Sequence, residues 1–501
     1  MKSRTLLILL GGMLSIGVLA TSADAVTLQL NGDGSSAGRG VMGFAPGAMC
    51  APWNASTNVI KHYRDSNSAT ANYNVWLCNL PSGDALQFRY HATGSADAWN
   101  HVQAASAQNE MNEAASTCSG PTHVVVTGFN EWDDYICSTV VTFTQTINFG
   151  GSDVKKESFG QTGPSNYRCP GDPGPPVQPS LVPPILAPNT PFPCSAPVPV
   201  APNVKSSGGP IVPFAIVVGK AVQKWNPPAP IGTGPAPNGS VAGAVGSLSR
   251  DQIERIFTGE ITDWQQIGLA TVAPVNGELA PSGTAADATS PIDVCTRSAG
   301  SGSKASLQRT LMLLSTENTI GDTAVVHPGL YHGKSSSDVL TCLGLYPNGI
   351  GIQDADAVPL FPTQVTISGG HYAAYPVKIN GFAVSEAAYD PGPFTPAAGS
   401  TTVDQRKLNI RCGQYPFWVQ WQITQPTAAY GDARDAAMTA LTTAAAGTTL
   451  IDHLKGDPTV SGDPLAGHFW VAGGQMAFQK ATDRGPMLAD GLNHPECFKA
   501  D

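Results

Sequence analysis

Apolar and polar positions alternate with a period of two in Val26-Thr-Leu-Gln-Leu30, in VWLCNL (75–80) and in LQFRYH (86–91), and HVVVTGF (123–129) and STVVTFTQTINFG (138–150) are equally β-rich. Half-buried strands are expected there. The run Ile211-Val-Pro-Phe-Ala-Ile-Val-Val218 is apolar throughout, as in a strand buried on both faces, and Gly349–Ile352, Pro376–Val384 and Phe417–Ile423 also read as strands. Helical spacing takes over between them. Ile253, Ile256 and Phe257 follow Ser249-Arg-Asp-Gln252, a capping-box pattern, and Leu307, Leu311 and Leu314 recur three and four residues apart. Further helices are expected from about 98 to 116, with Trp99, Val102 and Met111 as apolar contacts, near 335–344, and from Ala433 to Leu454. Strands alternating with helices predict an α/β protein with a largely parallel sheet in each domain.

Composition adds an address and a division. Met1 to Ala25 carries Lys2 and Arg4, an apolar run from Leu6 to Ala20 and the ending Ala23-Asp24-Ala25, the form of a secretory signal peptide cleaved before Val26. All 10 cysteines lie beyond it, an even number that suggests disulfides in an exported chain. The segment from Pro164 to Pro213 is proline-rich and aperiodic, so an extended connector is expected, stapled by Cys169 and Cys194. Gly268–Thr289 reads as a surface loop. A chain of 501 residues calls for two or more domains. The net charge of -10 gives no electrostatic footprint for nucleic acid, so an anion would have to be held by local hydrogen bonds.

The candidate chemistry gathers at turns after strands. Asp293–Leu314 predicts a strand, a small-residue loop entered by Arg297, and a helix. Ser301 and Ser303 supply hydroxyls there, and Gly300 and Gly302 allow close backbone approach. A second such turn, Asn31-Gly-Asp-Gly-Ser-Ser-Ala-Gly-Arg39, presents Ser35 and Ser36, with Arg39 as a weaker candidate or a surface residue. A third, Thr93-Gly-Ser-Ala-Asp97, presents Ser95, with Asp97 as a helix cap or a ligand-facing acceptor. Glu131, Asp133 and Asp134 suit a solvated hairpin turn better than a cation site. His327 and His332 lack a third ligand, so neither a metal nor a cofactor is expected.

Taken in order, LSRDQIERIFTGEITDW (248–264), RSAGSGS (297–303), PNGIGI (347–352) and YPVKINGFAV (375–384) resemble the periplasmic phosphate-binding protein family, the ligand-capturing component of phosphate ABC transporters. Gly34-Ser35-Ser36 and Gly94-Ser95-Ala96-Asp97 resemble its N-terminal anion-binding turns. The resemblance implies a two-lobed, type II-like periplasmic-binding-protein fold with hinge strands. Lobe I would combine 26–212 with 374–501, and lobe II would cover 213–373. Residues of about 118–209 would form a β-rich, proline-rich insertion. It further implies inorganic phosphate bound by Ser35, Ser36, Ser95, Asp97, Arg297, Ser301, Gly302 and Ser303, with Asp97 accepting the ligand's proton. A monomer that hands phosphate to an inner-membrane ABC permease is expected, located in the periplasm or at the cell surface and not acting as an enzyme. Two other classes compete with it. One is a secreted adhesive protein on a binding-protein scaffold, suggested by the insertion; the other is a phosphatase, for which no H-E-x-x-H motif is present.

Overall fold

The computed structural model describes residues 27–65, 71–159, 202–228, 238–274, 279–297, 300–312, 336–354, 408–449 and 470–480, with short pieces at 330–333, 366–367, 371–372, 374–384, 483, 487–489 and 497. The expected signal peptide, the Cys169–Cys194 staple, His327 and Leu314 lie outside them.

The described residues build a 13-stranded sheet. Its strand order is Leu330–Gly333, Asp293–Arg297, Gly349–Asp354, Val204–Gly219, Trp418–Pro426, Phe149–Ser152, Thr27–Gly34, Ala85–Ala92, Tyr73–Asn79, Lys61–Arg64, Asn130–Thr139 and Thr117–Val126, with Ala374–Pro376 also on Val204–Gly219. The apolar run around Ile211 explains its centre. Val204–Gly219 pairs antiparallel with Trp418–Pro426 through its first part, up to Pro213↔Trp418. From Phe214 on it pairs antiparallel with Gly349–Asp354 and Ala374–Pro376. One strand thus carries the chain from one half of the sheet to the other. Pro210, which has no amide to donate, falls where the ladder slips between Gly208 and Ile211.

The sheet is mixed, not largely parallel, yet its parallel pairs are those that matter for the site. Thr27–Gly34 runs parallel to both Ala85–Ala92 and Phe149–Ser152. In the other half, Asp293–Arg297 runs parallel to Leu330–Gly333 and to Gly349–Asp354. Loops after parallel strands leave from one edge, where crevices form outside the carboxyl ends.

Phe149–Ser152 falls within the range expected as an insertion. It lies centrally, between Thr27–Gly34 and Trp418–Pro426, with Phe149 fully buried. The strands Thr117–Val126 and Asn130–Thr139 do extend the sheet at its edge and carry the Cys118–Cys137 disulfide. Trp421, fully buried, shows why glycines cluster nearby: a Cβ on Gly38 or on Gly151 would lie 2.3 Å from its ring. The proline-rich connector also ends earlier than expected, since residues from Val204 are strand.

The capping box is present as expected. The Gln252 amide donates to Ser249 Oγ at 3.1 Å and the Ser249 amide to Gln252 Oε1 at 2.8 Å, opening the helix Arg250–Phe257. Ile253, Ile256 and Phe257 are buried. Other boundaries move. The helix expected to reach 116 is Asp97–Ala104, stopped by Ala105 in the left-handed region (φ 46), and Ala107–Met111 then forms a strand with Thr142–Thr146. The late helix ends at Ala446. The expected loop 268–289 contains the strand Leu269–Thr271. No helix among the described residues is long and apolar enough to cross a membrane.

Candidate functional site

Each turn singled out in the sequence lies at the junction of the two halves, and a fourth joins them. After Thr27–Gly34 the chain turns through Ser35, whose amide donates to Gly151 O at 2.7 Å and whose Oγ accepts from the amides of Ala37 (3.0 Å) and Gly38 (3.3 Å). The Tyr90 hydroxyl braces the turn by donating to Ser35 O at 2.8 Å. After Ala85–Ala92, the Thr93 amide donates to Gly34 O at 2.7 Å and brings Ser95 alongside.

The fourth turn is Ser152-Asp153. Both Ser35 and Ser95 donate to the Asp153 carboxylate: Ser35 Oγ to Oδ1, and Ser95 Oγ to Oδ2 at 2.9 Å. The Asp153 amide donates back to Ser95 Oγ at 3.3 Å. All three residues are buried. Burial, reinforced by the charge of Asp354, pushes the Asp153 carboxyl up to about 6, against the pull of Ser35, Ser95 and Arg297. Sequence reasoning missed this residue. The signal was the Gly150-Gly151-Ser152-Asp153 turn, of the same Gly-Ser-Asp type as 94–97, but its strand has only four residues, two of them glycine.

The opposite half contributes the loop around Arg297. Gly300 O accepts from the Ala96 amide at 3.1 Å, which ties this loop to the Ser95 turn. Gly302 lies so close that a Cβ would sit 2.3 Å from both Asp153 Oδ2 and Ser95 Oγ. Ser301 caps the helix Gly302–Ser306, accepting from the Lys304 amide. That helix continues as a π-helical turn, Leu307–Leu311, with Leu307 and Leu311 buried. Arg297, also buried, donates from Nη1 to Ser336 Oγ at 2.9 Å and to Ser303 Oγ at 3.5 Å. Farther along, Arg309 Nε donates to Ser158 O at 2.9 Å, a second tie to the Asp153 segment.

Among the sequence candidates, Ser35, Ser95, Arg297, Ser301, Gly302 and Ser303 are thus gathered and buried, and Ser36 is half-buried beside them. Asp97 is placed differently. It is the first residue of its helix rather than the cap, and its Oδ1 lies 3.7 Å from His101 Nε2. His101 also bonds the buried Asp33 through Nδ1. Burial opposes the charge on His101, but Asp33, with Asp97 behind it, holds it above its ordinary value. Asp97 therefore belongs to a His101–Asp33 cluster, whereas Asp153 occupies the space between the serines. Arg39 is half-buried. Burial lowers its guanidinium below the ordinary value, and Asp354 is the first charge opposing that shift.

The acidic residues expected in a hairpin turn belong instead to the strand Asn130–Thr139. Burial alone would raise Asp134, but His62 and Arg64 hold it down at about 2, a structural ion pair. Among the described residues, no group of three or more His, Cys, Asp or Glu side chains is arranged to hold a metal ion.

A family model described as a PBP superfamily domain matches residues 211–484, more than half of the chain. Similar solved structures include a putative phosphate ABC transporter substrate-binding protein with bound phosphate from Clostridium perfringens. It shows 11% identity over 85% of this chain and 96% of that one, with a TM-score of 0.38. Others are a phosphate-binding protein from Stenotrophomonas maltophilia, at 13% identity, 84% of each chain and TM-score 0.35, and PstS from Borrelia burgdorferi, at 12%, 85% and 94%, and 0.32. No curated protein matches the chain.

Proposed function

The chain belongs to the PBP superfamily, and from that premise we propose that it captures inorganic phosphate between the two halves of its sheet and delivers it, unconverted, to an ABC permease in the inner membrane. The observation that carries this is Asp153, a buried carboxylate held between two serine hydroxyls and pressed against Gly302 of the arginine loop.

A carboxylate inside an anion site is a filter. Phosphate at neutral pH retains a proton, which Asp153 accepts in a hydrogen bond; sulfate has none, and would set lone pair against lone pair. Leaving such groups unmatched costs about 1–3 kcal/mol, and more where charge is involved. Ser35, Ser36, Ser95, Ser301, Ser303 and the backbone at Gly302 are the proposed neutral donors, and Arg297 balances charge. Asp153 accepts from the Ser35 and Ser95 hydroxyls. A phosphate entering there takes those donors and donates a hydrogen bond from its own O–H to Asp153 in return. Asp97, the acceptor expected from the sequence, then supports the turn from behind.

The proposed lobes meet along Val204–Gly219, near Pro213. The function needs no activated nucleophile, only a cleft that closes. A phosphatase would require a base beside one of these serines, and the group beside Ser35 and Ser95 is the same Asp153 that the anion needs. The chain is proposed to act as a monomer in the periplasm or at the cell surface. Isothermal titration of phosphate-stripped protein with phosphate and with sulfate tests the proposal. Phosphate binding without sulfate binding supports it, and a folded protein that binds neither anion refutes it.

A further inference from the structure

Asp354 ends the strand Gly349–Asp354, which lies parallel and next to Asp293–Arg297, so Asp354 and Arg297 reach the same edge of the sheet. The two are linked by one hydroxyl. Arg297 Nη1 donates to Ser336 Oγ at 2.9 Å, and Ser336 Oγ donates to Asp354 Oδ2 at 3.0 Å. The other oxygen, Asp354 Oδ1, is buried and has no hydrogen-bond partner among the described residues. Its charge is felt across the junction. Asp354 is the first charged group acting on Asp153, and the first acting on Arg39, both in the opposite half. Arg39 Nε is likewise buried without a partner among the described residues.

We infer that Asp354 is a second proton-accepting carboxylate of the anion cleft, and that with Asp153 it selects a monobasic oxyanion, dihydrogen phosphate or dihydrogen arsenate, over the dianion. This rests on phosphate capture as proposed above and deepens it by fixing the ligand's protonation state. The groups facing Asp354 are Arg297 on the adjacent strand, Asp153 from the Ser152 turn and Arg39 from the first helix, with Tyr90 and Asp65 acting on Arg39 from beyond it. Lys304, buried on the helix Gly302–Ser306 that packs against the strand Gly349–Asp354, adds a further cation. A dianion brings twice the charge of a monoanion into these buried surroundings, and the cost of burying charge rises steeply with its amount. The hydrogen-bond count agrees. Two acceptor carboxylates are matched by a ligand with two O–H groups, half matched by one with a single O–H, and unmatched by sulfate.

The test is calorimetric titration of the stripped, full-length protein with inorganic phosphate from about pH 7 to about pH 9, above the titration of Asp153, in buffers of different ionisation enthalpy. If only the monobasic form binds, the association constant falls about tenfold per pH unit beyond the second ionisation of phosphate, and about one proton is taken up per phosphate bound. Asp354→Asn, whose amide can donate to an ionised oxygen, should flatten that slope, whereas Ser336→Ala, which leaves the carboxylate in place, should keep it. A wild-type slope near zero with no proton uptake overturns the inference even if the Asn variant does not fold, and so does a full slope in a folded Asp354→Asn protein. Absence of phosphate binding at every pH is a different result, and refutes phosphate capture itself.

Discussion

Replacing Gly302 by alanine perturbs the contact between the halves at its tightest point. The added Cβ would lie 2.3 Å from Asp153 Oδ2, 2.3 Å from Ser95 Oγ and 2.5 Å from Asp153 Cβ. None of these is the free end of a flexible chain, because Ser95 and Asp153 are locked to each other by a pair of hydrogen bonds. The arginine loop must therefore withdraw. Overpacking of this kind costs about 1–3 kcal/mol. Withdrawal also loses the bond from the Ala96 amide to Gly300 O, worth about 0.5–1.5 kcal/mol. Together these weaken the closed state by about 2–4 kcal/mol, and phosphate affinity by roughly 30- to 1000-fold. Because opening relieves the clash, the unfolding temperature of the empty protein should move little. Titration calorimetry and thermal unfolding of Gly302→Ala, side by side, check both parts. Unchanged affinity with a large fall in thermal stability would show that Gly302 serves packing within one half and not closure between them.

Other expectations follow from burial and linkage. Asp153 titrates at about 6 in the fold against an ordinary 3.8. The folded protein therefore binds this proton more tightly than the unfolded chain does, and the penalty is absent below the ordinary value and complete above about 6. Asp153→Asn should accordingly stabilise the stripped protein by about 1–3 kcal/mol at neutral pH and by almost nothing in acid, as read from unfolding temperatures at the two pH values. Trp421→Ala empties the space packed against Gly38 and Gly151, and should cost about 3–5 kcal/mol in denaturant unfolding. Ser249→Ala removes the capping box, and should cost about 1 kcal/mol without altering phosphate affinity. The Cys295–Cys342 disulfide closes 47 residues beneath Arg297. Replacing both cysteines by serine should cost about 2–4 kcal/mol, read as a lower unfolding temperature than that of the oxidised parent.

Much of the architecture was legible because hydrophobic runs in buried strands leave few alternatives. The run from Ile211 to Val218, the capping box at Ser249 and Gln252, and the strand-then-loop form around Arg297 all state their structure locally. What failed was decided by distant contacts. Phe149–Ser152 is too short and too glycine-rich for any periodicity. It is a strand because Gly32–Gly34 and Gln422–Thr424 pair with it from either side. Its position inside an apparent insertion then concealed Asp153. Asp97 is the more visible carboxylate in the sequence because it follows a Gly-Ser turn and opens a helix, where His101 is its neighbour one turn along. The helix after it stops at Ala105, where Ala-Ala-Ser would allow another turn, because Ala107–Met111 pairs with a strand about 35 residues later.

The central claim is that Asp153 reads a proton on the bound anion. Phosphate and sulfate affinities measured on wild type and on Asp153→Asn test it most directly, because an amide can donate to an unprotonated oxygen where a carboxylate cannot. Wild type should bind phosphate and reject sulfate. The variant should lose about 1–3 kcal/mol of that discrimination, about 5- to 150-fold in the ratio of affinities, chiefly by gaining sulfate. A folded variant that keeps the wild-type ratio would contradict the claim.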